Sequence, residues 1–163
     1  MSCIAVDPTN ADHVMVTYSN YGVYSIFYSS DGGTTWAKAG GNLEGANAPS
    51  VRWARIIPVS GGTVYLVATS TGLYATTLLN GTNTVWVQQG TNTIGNSVVE
   101  MIDWRPTDGL VVVATHSNGI YSSHITQVAD INGIKEIAKA DPGFQFNCYP
   151  NPCTDAATLQ FRL

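Results

Sequence analysis

Charge is scarce in this chain: seven Lys and Arg stand against eleven Asp and Glu in 163 residues, a formal net charge of -4. The basic residues are spread thinly and form no patch able to displace counterions from a phosphate backbone, which argues against nucleic acid as a partner. No run of about 18 apolar residues occurs, so no helical membrane span is expected. The three cysteines, Cys3, Cys148 and Cys153, lack a C-x-x-C pair, and His13, His116 and His124 share no ligand spacing; no metal or other cofactor is expected. Cys148 and Cys153 bracket Tyr149-Pro150-Asn151-Pro152 and either close a small disulfide loop in an oxidising compartment or stay free thiols, since spacing alone does not set the geometry. Nucleophile-elbow, P-loop and dinucleotide-turn signatures are also missing. The N-terminus, Met1-Ser2-Cys3-Ile4-Ala5-Val6-Asp7, opens directly into a strand pattern without a basic leader and apolar stretch.

What is abundant is the vocabulary of short strands and tight turns. Hydrophobic residues make up 44% of the chain, enough for a sizeable core, and Gly, Thr, Ser, Asn, Val and Tyr dominate the remainder. An internal repeat organises them. Val14 to Tyr24, Tyr65 to Tyr74 and Val111 to Tyr121 each read as an apolar strand, a polar turn and Gly-aliphatic-Tyr. The marker glycines Gly22, Gly72 and Gly119 stand 50 and 47 residues apart, and Pro8, Pro58 and Pro106 stand 50 and 48 apart. Trp36 and Trp86, each followed four residues later by glycine, are again 50 apart.

A period of ~40–50 residues containing several short strands predicts all-β architecture and blades of a β-propeller, each a four-stranded antiparallel sheet. The blades are expected at about 4–41, 51–90 and 98–125. The first should hold strands near Ile4 to Val6, His13 to Tyr18, Gly22 to Ser29 and Thr35 to Lys38. The third lacks a clear fourth strand, as when one chain end completes a blade begun by the other. About three blades cannot close a ring, so the rest is expected from sequence outside this chain or from a second copy in a homodimer.

Ser29-Ser30-Asp31-Gly32-Gly33-Thr34-Thr35-Trp36 satisfies the Asp-box pattern Ser/Thr-x-Asp-x-Gly-x-Thr-Trp at every specified position, with Ser29, Asp31, Gly33, Thr35 and Trp36 as the fixed residues. A degenerate copy, with two extra residues and no Asp, surrounds Asn80, Gly81 and Trp86. Over roughly residues 4 to 125 the chain resembles the Asp-box propeller proteins, among them sialidases, xyloglucan-cleaving glycoside hydrolases, sortilin-like receptors and a photosystem assembly factor. The motif's chemistry is structural: the Asp carboxylate accepts backbone N–H groups in a tight turn, Gly33 permits a positive φ, and Trp36 is expected to pack into the core between strands. In the resembled families the box lies away from the active site.

From Gln127 the repeat stops, and 127–143 reads as a linker. Residues 144–163 contain Tyr149-Pro150-Asn151-Pro152-Cys153-Thr154-Asp155 ahead of an alternating strand, Thr158 to Leu163. This looks like the opening of the C-terminal sorting domain of the type IX secretion system of Bacteroidetes-type bacteria, with Tyr149, Pro150, Asn151, Pro152 and Asp155 carrying the resemblance and Cys153 standing where Phe is usual. The resemblance implies export through that secretion machinery to the extracellular space or outer cell surface. The export leader would then lie upstream, and the chain would be a fragment.

Two functions follow as expectations. The first is a non-enzymatic glycan- or protein-binding adhesion scaffold, with Tyr21, Trp53 and Trp104 as candidate stacking platforms and inter-blade packing as their alternative role. The second is the C-terminal part of a glycoside hydrolase whose active site lies mostly in other blades. That chemistry needs paired carboxylates or, for a sialidase, clustered arginines. Asp7, Asp103, Arg52, Arg55 and Arg105 are the nearest candidates, with structural roles favoured for all five and no catalytic residue assigned.

Overall fold

The computed structural model describes residues 1–132 together with the backbone of two later strands, Gln145–Tyr149 and Thr158–Arg162. The architecture is all-β. The first antiparallel sheet has the order β1 (Cys3–Asp7), β2 (Asn10–Thr17), β3 (Ile26–Ser29), β4 (Ala37–Lys38). The second has the order β5 (Val51–Val59), β6 (Gly62–Thr69), β7 (Gly72–Thr76), β8 (Val87–Gln89). The third has three strands, β9 (Val99–Arg105), β10 (Leu110–Thr115) and β11 (Ile120–His124), with β10 in the middle. Strands β12 (Gln145–Tyr149) and β13 (Thr158–Arg162) pair antiparallel, Tyr149 opposite Thr158, so the strand expected in the tail has a backbone partner that the sequence did not indicate. Pro150, Asn151, Pro152, Cys153 and Asp155 lie outside the described residues. Among the described residues no helix is long and apolar enough to cross a membrane.

The strand register superimposes the three sheets. Val14 pairs with Val6 and Ser29, Tyr65 with Ile56 and Thr76, and Val111 with Trp104 and Ser123. Two residues further along, Val16 pairs with Ile4, Val67 with Ala54 and Val113 with Ile102. The expected strand at Gly22 to Ser29 is shorter than read: residues 22–25 belong to the turn, where Tyr18 N–H donates to the Ser25 carbonyl and Lys38 Nζ sits 4.1 Å from the centre of the Tyr24 ring. The repeat-marker glycines Gly22, Gly72 and Gly119 have φ of 72°, 121° and 82°, a region closed to most L-residues, which explains why the turn repeats as glycine.

The sheets stack face to face, with β5 packed against both β1 and β9. Ala5, Met15 and Ile26 of the first sheet form one core with Ala54, Ile56, Val67 and Trp86 of the second. On its other face the second sheet buries Leu66, Ala68 and Leu73 in a core with Ile102, Val111 and Val113 of the third. The outer faces are the instructive ones. Ala54 and Ile102 are 1% and 0% exposed, whereas their counterpart in the first sheet, Ile4, is 56% exposed. Ile26 and Leu73 are 0% and 4% exposed, whereas their counterpart in the third, Ile120, is 74% exposed. The row of sheets is therefore open at both ends.

The same logic corrects the expectation for Trp36. Its ring lies over Gly33 and is 43% exposed, while Trp86 is 2% exposed. Trp86 has a preceding sheet to enter. Its Nε1–H donates to the Ala39 carbonyl (3.0 Å), its backbone N–H to Asn42 Oδ1 (2.7 Å), and Asn42 Nδ2 donates back to the Trp86 carbonyl (2.9 Å). Gly41 allows this approach, since a Cβ there would collide with the Thr84 carbonyl. Trp36 has no such neighbour among the described residues. The linker expected from 127 also starts later. Thr126 and Val128 hydrogen-bond with Ser60, and a 3-10 turn at Val128–Asn132 buries Ile131 against the second and third sheets.

Replacing Trp86 by Ala should therefore cost about 3–5 kcal/mol of stability in a denaturant titration, while Trp36→Ala should cost far less. Equal losses at the two positions would contradict the assignment of Trp86 as the lock between the first two sheets.

Candidate functional site

The turn joining β3 to β4 is the most elaborate polar arrangement among the described residues. Asp31 Oδ1 accepts from the Ser29 hydroxyl (2.7 Å) and the Thr35 N–H (2.8 Å), and Oδ2 accepts from the Thr35 hydroxyl (2.6 Å). Ser29 Oγ in turn accepts from the Gly33 N–H (2.8 Å). Gly32 and Gly33, at φ 65° and 89°, let the chain curl around the carboxylate. Donors from the Thr35 side chain, the Thr35 backbone and Ser29 hold the Asp31 pKa down at about 2. The carboxylate is thus committed to the hydroxyl and N–H donors of its own turn.

The second sheet builds the equivalent turn without charge. Seven residues separate Ser29 from Trp36, and ten separate Thr76 from Trp86, so the insertion is three residues by register where two were read from sequence. Leu78 occupies the place of Asp31 and is exposed. The Thr84 hydroxyl takes over, accepting from the Asn80 N–H (2.9 Å) and donating to the Gly81 carbonyl (2.8 Å).

The residues weighed for catalysis are each occupied. Buried Asp7 accepts from the Thr9 N–H (2.8 Å) and hydroxyl (2.7 Å) and lies 3.5 Å from His13 Nδ1. Burial opposes its ionisation, and the donors from Thr9, His13 and Asn10 outweigh burial, leaving its pKa lowered. Arg52 grips both oxygens of Glu100 (3.0 and 3.1 Å), and Arg55 reaches the Ile102 carbonyl (3.1 Å) and Asp103 (2.6 Å), so both staple β5 to β9. Arg105 forms a two-pronged pair with Asp108 at 2.9 and 2.6 Å within its own hairpin. Asp7 and Asp103 sit on different sheets, each bound to local donors. No three metal-ligating side chains cluster among the described residues.

Of the candidate stacking aromatics, Tyr21 is 69% exposed on the turn after β2. Trp53 and Trp104 are half-buried instead, packed against the core between the second and third sheets. Their indole N–H groups are buried and donate to no protein acceptor among the described residues. Sequence reasoning missed a cavity of about 240 Å³ between those two sheets, lined chiefly by apolar side chains including Leu66, Leu73, Ile94, Val113 and Tyr121. The available signal was the tryptophan that follows the turn in repeats one and two and has no successor after β11.

The charged and uncharged turns make a pH test. The folded pKa of Asp31 lies below its ordinary value of 3.8, so its contribution is complete above about pH 4 and disappears as pH falls through about 2. Thermal unfolding should show wild type above Asp31→Asn at pH 7, with the two melting temperatures converging below pH 2. The destabilisation by Thr84→Val should hold constant over the same range.

Set against known proteins, no family model, no curated protein and no solved structure matches this chain.

Proposed function

We propose that the chain is a run of consecutive blades from an Asp-box β-propeller of an exported protein, acting at the cell surface or outside it as a glycan- or protein-binding scaffold without catalysis of its own. One observation carries the reading: the same face-to-face interface occurs twice, between first and second and between second and third sheets, and both of its halves are left uncovered at the ends. A repeated interface with one half free at each end is how an array of radial sheets is extended or closed. The first strands, β1, β5 and β9, follow one another across the stack, as the inner strands of blades around an axis would.

The site chemistry supports a scaffold over a hydrolase. All four basic residues whose side chains are described are engaged, Lys38 over Tyr24 and Arg52, Arg55 and Arg105 with carboxylates. The Asp31 carboxylate is spent on its turn. Export rests on the sequence of the tail alone, through Tyr149, Pro150, Asn151, Pro152 and Asp155.

Light scattering on the purified chain, with glycan-array binding on the same sample, tests the proposal. A discrete dimer that binds glycan would mean that the two open ends meet and that the chain is a working unit. A monomer that binds no glycan would place the binding surface in other blades. Cleavage of any glycan by the chain would replace this reading with that of a hydrolase.

A further inference from the structure

The cavity between the second and third sheets repeats a place that is already filled one interface earlier. Register makes Leu66 and Leu73 the counterparts of Met15 and Ile26. Counting on from the two box tryptophans, Gln89 stands where Ala39 does. From the third sheet, Val113 and Tyr121 are the counterparts of Val67 and Tyr74. Between the first and second sheets these positions belong to the core that holds Trp86: Met15, Ile26, Ala39 and Val67 are part of it, and Tyr74 packs against it. Between the second and third they line the cavity of about 240 Å³.

Trp86 arrives there because it begins the stretch leading into β8, the fourth strand, which pairs with β7 through Ala75 opposite Val87 and Leu73 opposite Gln89. In the third sheet β11 pairs with β10 on one side and has no partner on the other among the described residues. An apolar hole and a free strand edge thus lie together, in the relation that Trp86 and β8 satisfy in the second sheet. The cavity is smaller than the ~300–1,000 Å³ usual for small-molecule pockets, and its lining is mostly apolar. It fits one aromatic side chain.

We propose that this socket receives a tryptophan-bearing strand from polypeptide outside this chain, which adds antiparallel to β11 as the fourth strand of the third sheet and inserts its indole between Leu73 and Tyr121. The recognition is strand addition with one buried anchor. The chain's own four tryptophans, 36, 53, 86 and 104, all precede β11 in the sequence. The proposal requires only the equivalence of the two sockets and stands whether or not the sheets belong to a ring.

The test uses the full chain and a dye-labelled peptide copied from Asn80–Gly90, the segment that fills the earlier socket. Saturable binding is expected, weakened at least tenfold when the peptide tryptophan is Ala. Substituting p-benzoylphenylalanine for that tryptophan should give photo-crosslinks to Leu73 or Tyr121. Val113→Phe, which fills the hole, should weaken binding by a similar factor while its melting curve shows the protein folded. Absence of binding up to about 1 mM peptide, binding indifferent to the peptide tryptophan, or crosslinks confined to the outer faces at Ile4 or Ile120 would overturn the proposal. A chain that is dimeric on its own and is returned to monomer by the peptide would also overturn it, because a second copy would then be the occupant.

Discussion

A sheet with apolar side chains on both faces must be covered twice, and everything else in this molecule follows from how that is done. Among the described residues the first sheet is covered on one face and the second on both, while the third is covered on one and has three strands where the others have four. The difference between Ile4 at 56% exposure and Ala54 at 1% is a difference of position in the row, since the two residues hold the same register. Area removed from water stabilises by roughly 25 cal/mol per Å², so the middle sheet gains on both faces what each end sheet gains on one. Trp86 concentrates this constraint in a single side chain, reaching into the preceding sheet and closing the contact with hydrogen bonds to Ala39 and Asn42.

The fold was legible where the repeat spoke in residues with one job. Glycine at a positive φ, proline near a strand end and the alternation of strand residues gave the three repeat sheets and their strand counts among the described residues, but not the pairing of β12 with β13. What sequence could not supply was context. Trp36 and Trp86 occupy the same place in the repeat, yet one is half-exposed and the other buried, because burial depends on a neighbouring sheet that one of them has and the other lacks among the described residues. For the same reason Trp53 and Trp104, candidates for ligand stacking by composition, turned out to be wedged against the core between sheets.

The candidate site was legible in kind. That Asp31 belongs to a turn could be argued from its motif, and the hydrogen bonds show how completely the carboxylate is used. The pairing of Arg52 with Glu100 and Arg55 with Asp103 could not be foreseen, because 48 residues separate each pair and only the stacking of β5 on β9 brings them together. The cavity was hidden for a further reason: it is defined by an element that the second sheet has and the third has no counterpart for among the described residues.

The two joints of the row each hold a buried apolar core and differ in what frames it. At the first joint an indole N–H donates to a backbone carbonyl inside the core; at the second, two half-exposed guanidinium–carboxylate pairs flank it. Dissolved salt screens the second kind of contact and strengthens the first, because ions shield exposed charges while salting-out favours buried hydrocarbon. Ionic strength therefore acts on the charged fringe of the second joint, where each such pair contributes about 0–1 kcal/mol, while the apolar core of both joints persists.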